Sequence, residues 1–173
     1  MNFSFSTAGQ ILFGHGSSQR ILSVAQELGL LGKQALIVTG KRSRAQNLIA
    51  QLDKQGVGVT LWEIAGEPTT TMIDEGVRLA RQKNVDFVIG FGGGSAIDAA
   101  KAIAMLVTNG GDSLDYMEVI GRGRAVRTPS LPLIVVITTS GPGSEVTKNA
   151  PLRSDVHRQK TSIRAPTMFP HLA

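Results

Sequence analysis

The residues whose spacing could do chemistry are Gly92-Gly93-Gly94-Ser95, with Asp98 three positions after the serine. They follow Phe87-Val88-Ile89-Gly90-Phe91, a short apolar run of the kind a fully buried strand needs. They precede a segment rich in Ala, Ile, Leu and Met that suits a helix. Ser95 and Asp98 have the S-x-x-D spacing of a capping box, in which the hydroxyl takes one helix N–H and the carboxylate reaches back to the Ser95 N–H. Glycines let a phosphate approach the backbone, and a helix start offers free N–H groups at the positive end of its dipole. A phosphate-bearing ligand is the expectation; a tight connection with no ligand is the alternative. The dinucleotide fingerprint G-x-G-x-x-G is not met, because Gly90-Phe91-Gly92-Gly93-Gly94-Ser95 ends in serine, and no Gly-Lys-Ser/Thr occurs.

A sheet must position these residues. Phe3-x-Phe5 and the turn at Ala8-Gly9 predict an opening strand pair or hairpin. Ser17-Ser18 are expected to cap a helix carrying Ile21, Val24, Ala25 and Leu28, which Gly29 ends. Residues 34–39 predict a buried strand, followed by Gly40-Lys41-Arg42. Ser43 and Gln46 repeat the capping-box spacing, Ala45, Leu48, Ile49 and Leu52 mark a helical face, and Gly56 stops it. Residues 57–62 predict another strand, and Thr71 and Asp74 open a helix with Ile73, Val77 and Ala80 inward. Beyond the central helix, residues 109–112 form a turn and residues 116–132 a loop whose Arg122, Arg124 and Arg127 read as solvated. A strand over 133–139 runs into the turn Ser140-Gly141-Pro142-Gly143-Ser144, and residues 145–173 have little periodicity.

Strands alternating with helices predict an α/β fold with a doubly wound, mostly parallel sheet. Ligands of such sheets sit at the carboxyl ends of the strands. Three polar turns follow strands there, at residues 40–42, 92–95 and 138–144, which favours a dinucleotide over a single phosphate.

The 173 residues, 42% hydrophobic and 18% charged, suit one soluble domain. The absence of Cys excludes disulfides, thiolate metal sites and Cys nucleophiles. The longest apolar run, residues 131–137, is too short to span a bilayer, and MNFSFSTAGQ lacks a signal-peptide layout, so a cytoplasmic protein without membrane partners is expected. The net charge of +5 favours anionic partners, but scattered basic residues and 5% aromatics argue against nucleic acid.

GGGSAIDAAKAIA at 92–104 and ITTSGPGSEVTKNA at 137–150 resemble the iron-containing (group III) alcohol dehydrogenase family, and the likeness runs to the tail SIRAPTMFPHLA. The resemblance implies a Rossmann-like nucleotide-binding domain over residues 1–173, of the dehydroquinate synthase-like kind. In the family an all-helical domain follows and holds the metal. Carried over by position, Gly93, Gly94 and Ser95 would bind the pyrophosphate. Thr138 and Thr139 would line the nicotinamide side, Lys160 would contact the ribose region, and Asn149 would face the substrate cleft. Asp98 and Thr147 join the expected cofactor-binding residues. Pro142 departs from the family's T-T-A-G-T-G-S-E and removes a hydroxyl and a backbone donor.

The family's Asp and three His metal ligands lie beyond the position matching Ala173, and His15, His157 and His171 lack ligand spacing. The implied chemistry is hydride transfer between a nicotinamide dinucleotide and a small alcohol or aldehyde, with iron or another divalent metal as Lewis acid in the helical domain. No catalytic residue is expected within this chain, which alone should be inactive. A nucleotide-binding or regulatory module without turnover is the alternative, and a phosphate-dependent lyase of similar fold is a weaker third. Met168, Phe169 and Leu172 are expected to be poorly covered and Phe3 and Phe5 to pair across a two-fold, giving self-association or a homodimer.

The family's NAD-type members carry Asp directly after the first strand, in I-V-T-D. Here Ile37-Val38-Thr39-Gly40 leads to Lys41 and Arg42. A missing carboxylate and two cations predict NADP over NAD, with Gly40, Lys41 and Arg42 at the 2′-phosphate; the alternative is an ordinary solvated turn.

Overall fold

Apolar runs of branched residues form the strands of a parallel sheet, and their alternation sends side chains to two separate cores. The computed structural model describes residues 2–173. Strands β1 (Gln34–Thr39), β2 (Gly58–Glu63), β3 (Phe87–Gly92) and β4 (Leu133–Ile137) lie in the order β2-β1-β3-β4, all parallel. Ile37 stands beside Leu61 on one side and Ile89 on the other, and Ile89 beside Ile134. Leu36, Val38, Val88, Leu133 and Val135 pack against α3 (Thr70–Gln82) and α4 (Gly94–Asn109). Ala35, Ile37, Phe87, Ile89 and Ile134 pack against α1 (Ile21–Glu27) and α2 (Gln46–Lys54). The α/β, doubly wound parallel sheet is therefore the one the alternation predicts, and its Rossmann-like arrangement is the one the family resemblance implies.

Helix ends follow the glycines. After α1, Gly29 takes φ 67° while its N–H reaches the Gln26 carbonyl and the Leu30 N–H reaches Ala25. Helix starts do not follow the serines. A 3-10 turn, Ser17–Arg20, precedes α1, and another, Arg42–Ala45, precedes α2; neither has a side-chain cap. Helix α3 is capped by Thr69, whose hydroxyl accepts the Met72 N–H at 3.3 Å, two residues before the expected Thr71. Asp74 instead accepts the N–H and hydroxyl of Ser113 at 2.8 and 2.7 Å.

At α4 the cap position is Gly93, without a side-chain bond, and Ser95 lies inside the first turn. The strand runs to Gly92 at φ 149° and Gly93 is extended, so the chain enters the helix at once and leaves Ser95 no cap position. A capping box does form further on, between Asp112 and Asp115 at α5 (Ser113–Tyr116). Arg122 and Arg124 both pair with Asp115 there, and Arg124 lies 5.2 Å over the Tyr116 ring, so these two exposed arginines brace the loop.

Both chain ends differ from expectation. The expected N-terminal hairpin is absent: residues 3–7 form no strand, and Phe3 and Phe5 are 87% and 82% exposed. The later segment, in turn, is ordered. It forms an antiparallel pair, β5 (Asn149–Ser154) with β6 (Gln159–Arg164), and Met168 and Leu172 are fully buried rather than uncovered. Leu172 bridges in parallel to both Gln10 and Ile134, so the tail closes the free side of β4 and the early segment lies outside it. Backbone bonds fix that arrangement, from Gly9 N–H to the Pro170 carbonyl at 2.9 Å and from Leu12 N–H to Ala173 at 2.7 Å.

Candidate dinucleotide site

The sheet order places β1 and β3 side by side with their following helices, α2 and α4, on opposite faces, which makes the gap beyond their carboxyl ends the switch point. Three turns meet there. The Gly40 nitrogen lies 3.9 Å from where a Cβ on Gly92 would stand. The Thr138 N–H donates to the Gly92 carbonyl at 2.9 Å, tying the β4 turn to the β3 turn. A Cβ on Gly93 would meet the Thr139 hydroxyl at 3.3 Å, and one on Gly94 would meet both Pro142 Cβ and the Ser144 hydroxyl at 3.3 Å. At both positions the β4 turn packs closely enough that an added side chain would push it back by a few tenths of an ångström. The first N–H groups of α4 have no intrahelical carbonyl to reach and stand ready for an anion.

One turn into α4, Asp98 is turned away from capping and held by Lys101, at 3.4 Å. Lys101 is wholly buried, and its ammonium also donates to the Thr147 hydroxyl at 3.1 Å and the Asn149 carbonyl at 3.2 Å. Burial pushes the Asp98 carboxyl up, against the pull of Lys101, Ser144 and Lys160. Burial pushes the Lys101 ammonium down, against Asp98 and Glu145. The network joins the glycine-turn helix to the start of β5, so Asp98, Thr147 and Asn149 stand together. Lys160, on β6, is ion-paired with Glu67, whose carboxyl that hydrogen bond holds below its ordinary range. A cavity of about 260 Å³ opens beside Thr147 and Asn149, bounded also by Val146 and Phe169. A cavity of about 440 Å³ lies at the opposite end of α4, between Asn109, Tyr116 and Arg124, away from the glycine turn.

Lys41 and Arg42 are exposed beyond β1, and the Arg42 N–H donates to Glu63 Oε1 at 2.9 Å. The sequence alone singled out neither Lys101 nor Glu63. For Lys101 the signal was a lone lysine three residues after Asp98 in an otherwise Ala- and Ile-rich helix. Among the described residues no three His, Asp or Glu side chains converge to hold a metal ion. These residues do not by themselves fit a divalent metal.

A doubly wound parallel sheet with a glycine turn at its switch point defines a Rossmann-like, nucleotide-binding α/β domain. Residues 8–173 match the family described as iron-containing alcohol dehydrogenase, and the chain belongs to that family. It is 35% identical to the probable alcohol dehydrogenase EutG of Escherichia coli, over 98% of this chain and 43% of that protein. It is 31% identical to the NAD-dependent methanol dehydrogenase of Bacillus methanolicus, over 99% of this chain and 44% of that one. Among solved structures, the sulfoacetaldehyde reductase of Bifidobacterium kashiwanohense in complex with NAD+ superposes with TM-score 0.85 at 29% identity, covering 100% of this chain and 46% of that protein. The chain thus spans less than half the length of these relatives. Among the described residues no helix is long and apolar enough to cross a membrane.

Proposed function

We propose that residues 1–173 form the cofactor-binding half of a metal-dependent alcohol dehydrogenase that moves a hydride between a nicotinamide dinucleotide and a small alcohol or aldehyde. The observation that carries this reading is the meeting of three strand-end turns at the switch point, with Gly93 and Gly94 packed under Thr139, Pro142 and Ser144. The dinucleotide, when bound, supplies or accepts the hydride at its nicotinamide ring. The N–H groups of Gly93, Gly94 and Ser95 hold the pyrophosphate at the α4 start. Thr138 and Thr139 line the nicotinamide side, Asp98, Thr147 and Lys160 position the inner ribose region, and Asn149 borders the cleft where the alcohol enters. The metal and its ligands belong to the remainder of the enzyme.

Gly40, Lys41 and Arg42 support acceptance of a 2′-phosphate and hence NADP. Relatives named for NAD support the other choice, and NAD is the cofactor we assign first. The protein is assigned to the cytoplasm, and exposed Phe3, Phe5 and Phe13 favour self-association. Calorimetric titration of the purified chain with NADH and NADPH tests the reading: saturable binding of at least one is expected, lost when Gly93 is replaced by Val. Absence of binding by both refutes it. The chain with added iron or zinc is expected to reduce no aldehyde.

A further inference from the structure

Residue 40, directly after β1, is the position from which a nucleotide-binding sheet of this kind reaches the adenosine ribose, and here it is a glycine with no side chain to reach with. A carboxylate stands nearby, supplied from the next strand. Glu63 is the last residue of β2 and pairs in register with Thr39, the last residue of β1. Its Oε1 takes the Arg42 N–H at 2.9 Å, so the carboxylate lies against the backbone just two residues past Gly40. The space over Gly40 is open: a Cβ there would meet nothing nearer than the Ile64 carbonyl at 3.9 Å.

The direction of a bound dinucleotide follows from the nicotinamide side proposed above at Thr138 and Thr139. On the β4 side of the glycine turn, Thr139, Pro142 and Ser144 are packed against Gly93 and Gly94 and lead on to Thr147 and Asn149. On the other side lie Gly40, within 3.9 Å of the Gly92 Cβ position, and then β2 at the sheet edge. The adenosine half therefore runs from the glycine turn over Gly40 toward Glu63.

We propose that Glu63 is a specificity-determining residue of this site: its carboxylate accepts the adenosine ribose hydroxyl and repels a 2′-phosphate, in place of the acid missing at position 40. This rests on the dinucleotide reading above. Lys41 and Arg42 bear the opposite charge, so Glu63 opposes the attraction they exert on the phosphate. One exposed carboxylate beside a phosphate dianion changes relative affinity on the order of tenfold at low salt.

Glu63→Gln is a clean test, because the amide oxygen still accepts the Arg42 N–H while the charge is gone. The purified chain is titrated with NADH and NADPH by nucleotide fluorescence, alongside Asp53→Asn, the same charge change on the exposed end of α2. The NADPH-to-NADH affinity ratio is expected to rise about tenfold in Glu63→Gln at low salt, to rise less at high salt, and to stay unchanged in Asp53→Asn. Both nucleotides binding with an unchanged ratio in Glu63→Gln overturns the role of Glu63 and leaves the dinucleotide site standing. An equal rise in Asp53→Asn also overturns it, as an effect of net charge. No binding of either nucleotide by the unsubstituted chain overturns both readings.

Discussion

Replacing Lys101 by Met isolates what the buried network is worth. Methionine fills nearly the same volume, so the loss is electrostatic rather than a cavity. The substitution leaves three acceptors without their donor: Asp98 Oδ1 at 3.4 Å, the Thr147 hydroxyl at 3.1 Å and the Asn149 carbonyl at 3.2 Å. Breaking a buried ion pair from one side costs about 3–5 kcal/mol. The long contact and the 14% exposure of the Asp98 side chain place this one near the lower figure, about 3 kcal/mol at neutral pH. Removing both charges, in Asp98→Asn with Lys101→Met, should cost only about 1–2 kcal/mol for the acceptors left unmet.

The pH dependence has a definite sign. Asp98 is already raised by burial, and losing Lys101 raises it further. A carboxyl with a raised folded value contributes its stability below the ordinary carboxylate range and loses it as pH rises through the folded value. The deficit of Lys101→Met is therefore largest at neutral pH and smaller at an acidic pH. Urea melts of the wild type, both single variants and the double variant at the two pH values form the cycle. A single variant within about 1 kcal/mol of wild type at neutral pH, or a double variant no more stable than Lys101→Met, refutes the coupling.

Leu172→Ala should lose about 2–5 kcal/mol in urea melts, because the side chain is fully buried beside Ile134. Thr69→Ala should cost about 1 kcal/mol by removing the α3 cap, whereas Ser95→Ala should be close to neutral for stability since Ser95 caps nothing. Gly94→Val should weaken dinucleotide binding at matched folded fraction, measured by calorimetry, because its side chain forces Pro142 and Ser144 away from the turn. The His171 ring accepts the Leu133 N–H at 3.1 Å, and burial holds its pKa below the ordinary histidine range. Its contribution to stability is thus present above that range and lost as pH falls through the lowered folded value; an NMR titration midpoint at or above 6.5 contradicts this.

The β1 and β3 strands were legible because a strand buried on both faces has a continuous apolar run, as in Ala35 to Val38 and Phe87 to Ile89. Once their order is known, the glycine turn and its neighbours fall at one end of the sheet. Caps were misread because a serine three residues from an acid or amide is common, whereas a cap also needs an extended backbone at that serine. Gly92 and Gly93 already supply that turn, which leaves Ser95 helical. Two of the three partners of Lys101 come from residues 147 and 149, and those of Leu172 from residues 10 and 134, so no local period encodes them. Glu63 escaped notice for the same reason: its partner lies across two strands' ends, at Arg42.

The bridge between Gln10 and Leu172 also fixes an order of events during synthesis. Residues 9–12 emerge from the ribosome early yet have no hydrogen-bonding partner until residues 170–173 follow. Closing so long a loop costs on the order of 4 kcal/mol in chain entropy, growing as the logarithm of its length. Until then the Val135 N–H, which finally donates to the Leu172 carbonyl at 2.8 Å, faces outward from an unprotected strand edge. A nascent chain stalled before residue 170 is therefore expected to be recruited by chaperones and to co-aggregate through β4, whereas one extended through residue 173 seals that edge with residues 170–173.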